Sequence, residues 1–205
     1  VLSGADDLPI DVGPLRERLL SDGRLAAWEH HETIDSTNQR AAALGREGLS
    51  GPALITAEHQ SAGRGRQGRV WESPAYRNFC GSFVLQPKVD QAHLAPITLV
   101  AALAVSDAIA GAGCPDVRIK WPNDLLLGSR KVAGILTELD TSQGGDFFVV
   151  VGIGVNLNLG ETDFPAELRS KAGSLAWHGG HPIDRSAFVE GLTDAFFDRI
   201  SLFER

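Results

Sequence analysis

Three apolar stretches near the middle of the chain follow one another with almost nothing between them. They cover 125–127, 132–139 and 147–157, and their connections are built on Gly128-Ser129-Arg130 and the polar run 141–145. Val, Ile, Leu and Phe dominate the stretches, and Gly, Ser and Asp fill the gaps. That is the pattern of strands joined by hairpin turns. A parallel partner would need a crossover of roughly a dozen residues or more, so the three strands are expected to pair antiparallel. This meander restricts the chain to folds with an antiparallel sheet at their centre.

The flanking sequence supplies helices for that sheet. The segment 14–27 places Leu15, Leu19 and Leu20 on one side, with Pro14 in the first turn, and reads as a short helix. An apolar-polar stretch covers 28–34. Asp35-Ser36-Thr37-Asn38 is a run of helix-capping residues ahead of the helix-forming run 39–44. Strands are expected at 53–57, 79–85 and 117–121, and a polar Gly/Arg-rich loop at 58–74. The Ala/Leu/Val run 94–110 reads as a buried helix and 166–174 as a weaker one. The stretch 184–203 is a stronger helix, with Phe188, Leu192, Phe196 and Ile200 at helical spacing. There is no repeat, and no linker is long enough to set off a second domain. The expectation is a single α+β domain over 1–205, with a mixed, mostly antiparallel sheet and helices packed on it. It has a helical lead-in over 1–28 and a C-terminal helix over 184–205.

Composition narrows the function. With 205 residues, 43% of them hydrophobic, the chain can bury a full core. A net charge of −7 disfavours broad electrostatic binding to nucleic acid or anionic membrane. Any basic cluster must therefore be local and aimed at a small anion. The two cysteines, Cys80 and Cys114, lack metal-ligand spacing and fit a reduced intracellular protein. No apolar run approaches the 18 residues of a membrane span, and 1–10 lacks a basic, apolar signal pattern. A cytoplasmic location is expected.

Four segments carry chemistry. In the first, Gly63-Arg64-Gly65-Arg66-Gln67-Gly68-Arg69-Val70-Trp71, three Gly alternate with three Arg. Gly lets backbone N–H groups approach an anion, and Arg offers a planar fork for phosphate or carboxylate. No Gly-Lys-Ser/Thr follows, so this is not a Walker loop. On composition alone, a solvated loop or an RNA contact remains open. The second is Lys120-Trp121-Pro122-Asn123-Asp124, followed by Lys131-Val132-Ala133-Gly134-Ile135-Leu136. Pro ends a strand, and Asn123, Asp124 and Lys131 can then face a cleft; a plain hairpin with a surface Lys is the alternative. In the third, Gly152-Ile153-Gly154-Val155-Asn156, two Gly and an Asn share one strand face. Something flat could pack there, although a bulged core strand would look the same. The fourth, Asp35-Ser36-Thr37-Asn38, offers hydroxyls and free N–H groups at a helix start, or is simply an N-cap.

Taken in this order, the four segments resemble the biotin–protein ligases over about residues 30–160. The resemblance implies a catalytic domain of the class II synthetase/biotin ligase-like fold. It implies ATP with Mg²⁺ as the activating substrate, biotin as the acid, and biotinyl-5′-AMP as the intermediate. A specific lysine of a biotin carboxyl carrier protein, in a biotin-dependent carboxylase, is the acceptor. By the same resemblance Lys131 bridges carboxylate and α-phosphate. Arg64, Arg66 and Arg69 hold phosphates and cover the adenylate, with Trp71 packed on the closed loop. Ser36, Thr37, Asn38 and Gln60 contact the biotin ring, together with Gly63, Gly65 and Gly134. Asn123 and Asn156 lie near the adenine. Lys131, Arg66 and Asp124 form the catalytic set, Asp124 being the expected base for transfer. No dedicated metal site is expected, since Mg²⁺ arrives with the nucleotide.

The 35 residues ahead of Ser36 leave no room for the winged helix-turn-helix of repressor-type relatives, so no DNA binding is expected. After the last helix no strand run follows for the SH3-like domain that many relatives add. A homodimer is compatible with the resemblance. The competing readings are a lipoate/octanoate–protein ligase, a non-catalytic biotin or nucleotide sensor, and an RNA-binding protein. Lipoate would call for an apolar slot in place of Ser36, Thr37 and Gln60. A sensor would lack Lys131 or the Arg loop. RNA binding would require aromatics among the arginines.

Overall fold

The computed structural model describes residues 9–205. The first eight residues of the expected lead-in lie outside them. Among the described residues, seven strands form one mixed sheet: β1 (Ala27–Ile34), β2 (Ala53–Gln60), β3 (Asn78–Leu85), β4 (Arg118–Lys120), β5 (Asp124–Leu127), β6 (Arg130–Thr141) and β7 (Phe147–Asn156). Their order is β1-β2-β3-β7-β6-β5-β4. Of these neighbours only β1 and β2 run parallel, joined by the crossover helix α2 (Thr37–Glu47). Every other neighbouring pair is antiparallel, and β5, β6 and β7 form the meander foreseen from their short connections. The other helices are α1 (Gly13–Ser21), α3 (Ile97–Gly111), α4 (Leu175–Gly179) and α5 (Arg185–Phe203).

The two faces of the sheet have different roles. Leu54, Phe79, Phe83, Val151, Ile153 and Val155 join the main core with α3 and α5. Phe83 stacks on Phe196 of α5 with ring centroids 3.8 Å apart. The small side chains of Ala101, Ala104, Ala108 and their neighbours bury α3 deeply against this face. On the other face Ile55, Val84, Phe148 and Val150 pack against Ala41 of α2. That second core is small and covers only one end of the sheet. Following Val150 along the same face come Gly152 and Gly154, and here the apolar cover gives way to polar loops.

Two expectations need correction. The lead-in is helical only over Gly13–Ser21, and β1 already begins at Ala27. The segment 166–174 is not a helix: its first part closes in turns on Pro165 and Leu168, and its end bonds to the start of β6. Lys131 N–H donates to Lys171 O and Gly173 N–H to Lys131 O. Helix begins only at α4, capped by the Ser174 hydroxyl, which accepts from Trp177 N–H. The long C-terminal helix spans Arg185–Phe203, and the Asp184 side chain caps it through Ala187 N–H.

Candidate active site

The Arg/Gly loop is a closed hairpin. Trp71 N–H donates to Gly63 O at 3.0 Å and Gly65 N–H to Arg69 O at 2.7 Å. Its tip turns through Arg66–Gly68, with φ of 58° at Gln67 and 72° at Gly68. Gly63 is required by contact, because a Cβ there would strike the Trp71 carbonyl. The hairpin lowers the Trp71 indole onto the bare face of the sheet. A Cβ at Gly154 would collide with that ring, and Trp71 also lies beside Gly134. Gly152 likewise leaves room for the Asn38 amide, whose Oδ1 a Cβ would strike. The flat groups that the two glycines were expected to admit are thus the chain's own Trp71 and Asn38.

Trp71 and Lys131 line both of two cavities. The narrow one, about 50 Å³, is also bordered by Ser36, Thr37, Asn38, Gln60, Arg64, Gly65, Arg66, Asn123 and Gly134. That is well below the usual small-molecule site of roughly 300–1,000 Å³. A fused ring enters only if some lining side chains yield, and Arg64 and Arg66 are on the loop best placed to do so. The wider cavity, about 500 Å³, takes in Arg69, Asp124, Lys120, Asn156 and the segment 163–172. Lys131 Nζ lies 5.5 Å from the centroid of the Trp71 ring and 2.7 Å from Asp124 Oδ1.

Each anion-binding candidate already holds a resident partner. Arg64 donates to Glu138 Oε1 at 3.0 Å and Arg66 to Asn123 Oδ1 at 3.1 Å. Asn123 in turn donates to Ile135 O at 2.9 Å, which fixes it at the start of β5. Asn156 donates to Gly173 O at 2.9 Å, so its amide anchors the 165–173 segment. Arg69 makes only a long contact, 3.5 Å, to Gln67 Oε1. The Ser36 side chain does not cap α2. Instead Gln60, reaching across from β2, accepts from Thr37 N–H at 2.8 Å.

Two residues of the site escaped the sequence reading. Ser82 is fully buried and lies 2.8 Å from Thr37 Oγ1 and 2.6 Å from Asn38 Oδ1. Glu138 accepts from Asn38 Nδ2 at 2.8 Å as well as from Arg64. The signal for both was polarity inside an apolar strand, where a hydroxyl or carboxylate needs a partner. Beneath Trp71, burial pushes the Cys80 thiol up to about 11, while the Trp71, Ser73 and Gln60 side chains oppose that rise. Cys80 is therefore a neutral thiol at physiological pH. Among the described residues, no three His, Cys, Asp or Glu side chains cluster as a metal site, and no helix is long and apolar enough to cross a membrane.

Fold and site together define an α+β domain with a cationic hairpin closed over paired cavities and a lysine at their junction. Residues 31–156, more than half of the chain, match the Biotin/lipoate A/B protein ligase family, and the chain belongs to that family. It is 46% identical over 166 residues to the biotin–[acetyl-CoA-carboxylase] ligase of Paracoccus denitrificans, covering 79% of this chain and 68% of the relative. It is 36% identical over 170 residues to the bifunctional ligase/repressor BirA of Bacillus subtilis, covering 83% of this chain and 52% of the relative. The chain thus spans about half the length of that relative. The biotin protein ligase of Aquifex aeolicus, solved with biotin and ATP, superposes with a TM-score of 0.73 at 30% identity. That match covers 87% of this chain and 72% of the other.

Proposed function

We propose that this chain is the catalytic domain of an ATP-dependent biotin–protein ligase. The observation that carries the reading is Lys131, a cation lining two adjoining cavities with the Arg hairpin above it. Joining a carboxylate to a phosphate brings two anions together, and the charge that develops must be met by fixed cations. The biotin ring would enter the narrow cavity among Ser36, Thr37, Asn38 and Gln60, near the backbone of Gly63 and Gly65. The nucleotide, with its Mg²⁺ as part of the substrate, would take the wider cavity beside Arg69 and Asn156, with Asn123 at the boundary.

In the first step a biotin carboxylate oxygen attacks the α-phosphorus, and pyrophosphate leaves with the electron pair of the broken P–O bond. Lys131 turns from Asp124 to the reacting oxygens, and Arg64 and Arg66 leave Glu138 and Asn123 to cover the adenylate. That movement frees Asp124. In the second step the acceptor lysine's neutral amine attacks the anhydride carbonyl and AMP leaves. Asp124 takes the proton that the new amide nitrogen sheds. The hairpin meanwhile keeps water from the anhydride. The acceptor is a biotin carboxyl carrier domain of a carboxylase, and the setting is the cytoplasm. A homodimer is compatible with this scheme, which needs no DNA contact.

The test is calorimetric titration with biotin and with lipoate, each with and without ATP-Mg²⁺, followed by mass analysis of the product. The expected result is biotin binding and a biotinyl-AMP mass. Lipoyl-AMP instead would reassign the acid, and binding without an adenylate would make the chain a sensor.

A further inference from the structure

A run of polar side chains crosses the floor of the narrow cavity, and only one of its members is charged. Gln60, Thr37, Ser82, Asn38 and Glu138 follow one another at hydrogen-bond distance, from β2 through α2 and β3 to β6. Hydrogen positions along such a chain are decided by whichever member cannot donate. An ionised carboxylate only accepts, so Glu138 requires that Asn38 turn its NH₂ toward it. The second Asn38 N–H goes to Leu136 O at 3.3 Å. With Nδ2 so placed, Oδ1 faces the Ser82 hydroxyl at 2.6 Å, and Ser82 must donate to it. The proton of Ser82 is then unavailable to Thr37, whose own hydroxyl must donate, to Ser82 or to Gln60.

The consequence is chemical selectivity. Asn38 lines the cavity, yet both of its N–H groups are committed, and its remaining capacity is a lone pair on Oδ1. Thr37 is likewise left with lone pairs. Gln60 accepts from Thr37 through Oε1, so its Nε2 is the group left to donate. This wall therefore offers acceptors at α2 and a donor at β2. The arrangement suits a ring that carries N–H groups on one side and a carbonyl on the other.

We infer that Glu138 is a positioning residue that makes the head-group pocket selective for a ligand N–H, by holding the Asn38 amide in its accepting orientation. This rests on the reading of the narrow cavity as the biotin site. Glu138 lines neither cavity itself and acts through Asn38. A site built to pair a ligand polar group rejects an analogue lacking it far more strongly than a merely apolar pocket can. Without Glu138 only the long 3.3 Å contact to Leu136 O still favours this orientation, and the amide flips far more readily. An N–H would then face the ring N–H, and the discrimination is lost.

The experiment compares biotin with an analogue methylated on a ureido nitrogen, by calorimetry and by adenylate formation, in the wild-type chain, Glu138→Ala and Glu138→Gln. In the wild type, biotin is expected to bind at least about a hundredfold tighter than the methyl analogue. In Glu138→Ala that ratio is expected to fall to about tenfold or less, with the KM for ATP changed by under about threefold. A Gln at 138 can still accept from Asn38 through its carbonyl while losing Arg64, so Glu138→Gln is expected to restore the ratio. A ratio unchanged in Glu138→Ala overturns the inference. So does a loss of biotin, analogue and ATP in equal proportion, the mark of a merely structural role. If the wild type forms biotinyl-AMP but binds both acids alike, the biotin reading stands and the inference falls. If the wild type binds neither acid, both fall.

Discussion

In the proposed scheme one contact, between Lys131 and Asp124, serves two steps. At 2.7 Å the pair is half-shielded from solvent, close enough that each fixes the other while no substrate anion competes. On that scheme, removing the ammonium takes away a charge needed most when the carboxylate meets the α-phosphate. Lys131→Ala is expected to slow adenylate formation by at least about a hundredfold, the scale of losing one preorganised donor to a developing charge. Asp124→Asn keeps a side chain that can still support Lys131 but cannot take a proton. It is expected to leave adenylation within about threefold and to slow transfer to the carrier by about tenfold or more. Pre-steady-state quenched-flow assays resolve the two steps. Equal losses in both for Asp124→Asn would make this carboxylate a support for Lys131 rather than a base.

At the scale of elements, the hairpin around Gly63–Trp71 is the piece that the proposed scheme requires to move. Its backbone is closed by its own hydrogen bonds, and the Arg66 side chain reaches across to the sheet through its contact to Asn123. Arg66→Ala is expected to fold normally, to make the adenylate, and to release it. Free biotinyl-AMP and biotin on bystander lysines should both rise, as filter assays and mass mapping would show. Tight retention of the adenylate would remove the clamp role. The existence of this loop was legible because Gly and Arg alternate in it, and the meander was legible because its connections are short. The support beneath the loop was less so. That Gly152 and Gly154 make room for Asn38 and Trp71 depends on how three distant segments converge. Ser82 and Glu138 each sit inside a strand that reads as core. The helix expected at 166–174 failed for a related reason: the end of the segment finds backbone partners on β6, a competition that local propensity does not register.

For the molecule as a whole, a deeply buried charge ties the two ends of the described chain to the sheet. Glu58 of β2 is fully buried. It accepts from Arg185 at the start of α5 and from Ile10 N–H near the N-terminal side, and it faces His30 of β1. Burial by itself would raise the Glu58 carboxyl, but the hydrogen bonds from His30, Ile10 and Arg185 outweigh it and hold the group below its ordinary 4.5. Glu29 is also held low, chiefly by Arg40 and then by His31, though it is partly exposed and correspondingly weaker in effect. A carboxyl whose folded pKa is depressed stabilises the fold above its unfolded pKa. That contribution is lost as pH falls through the folded value, because the unfolded chain binds more protons there. The urea midpoint should therefore stay nearly level from about pH 7 to about 5.5 and drop steeply below about pH 4. Glu58→Gln should flatten that acid limb. At neutral pH it should also lose roughly 3–5 kcal/mol, because the buried Arg185 guanidinium no longer faces this counter-charge. If the variant instead tracked the wild type with a constant offset down to about pH 3, the acid transition would have to come from other carboxylates.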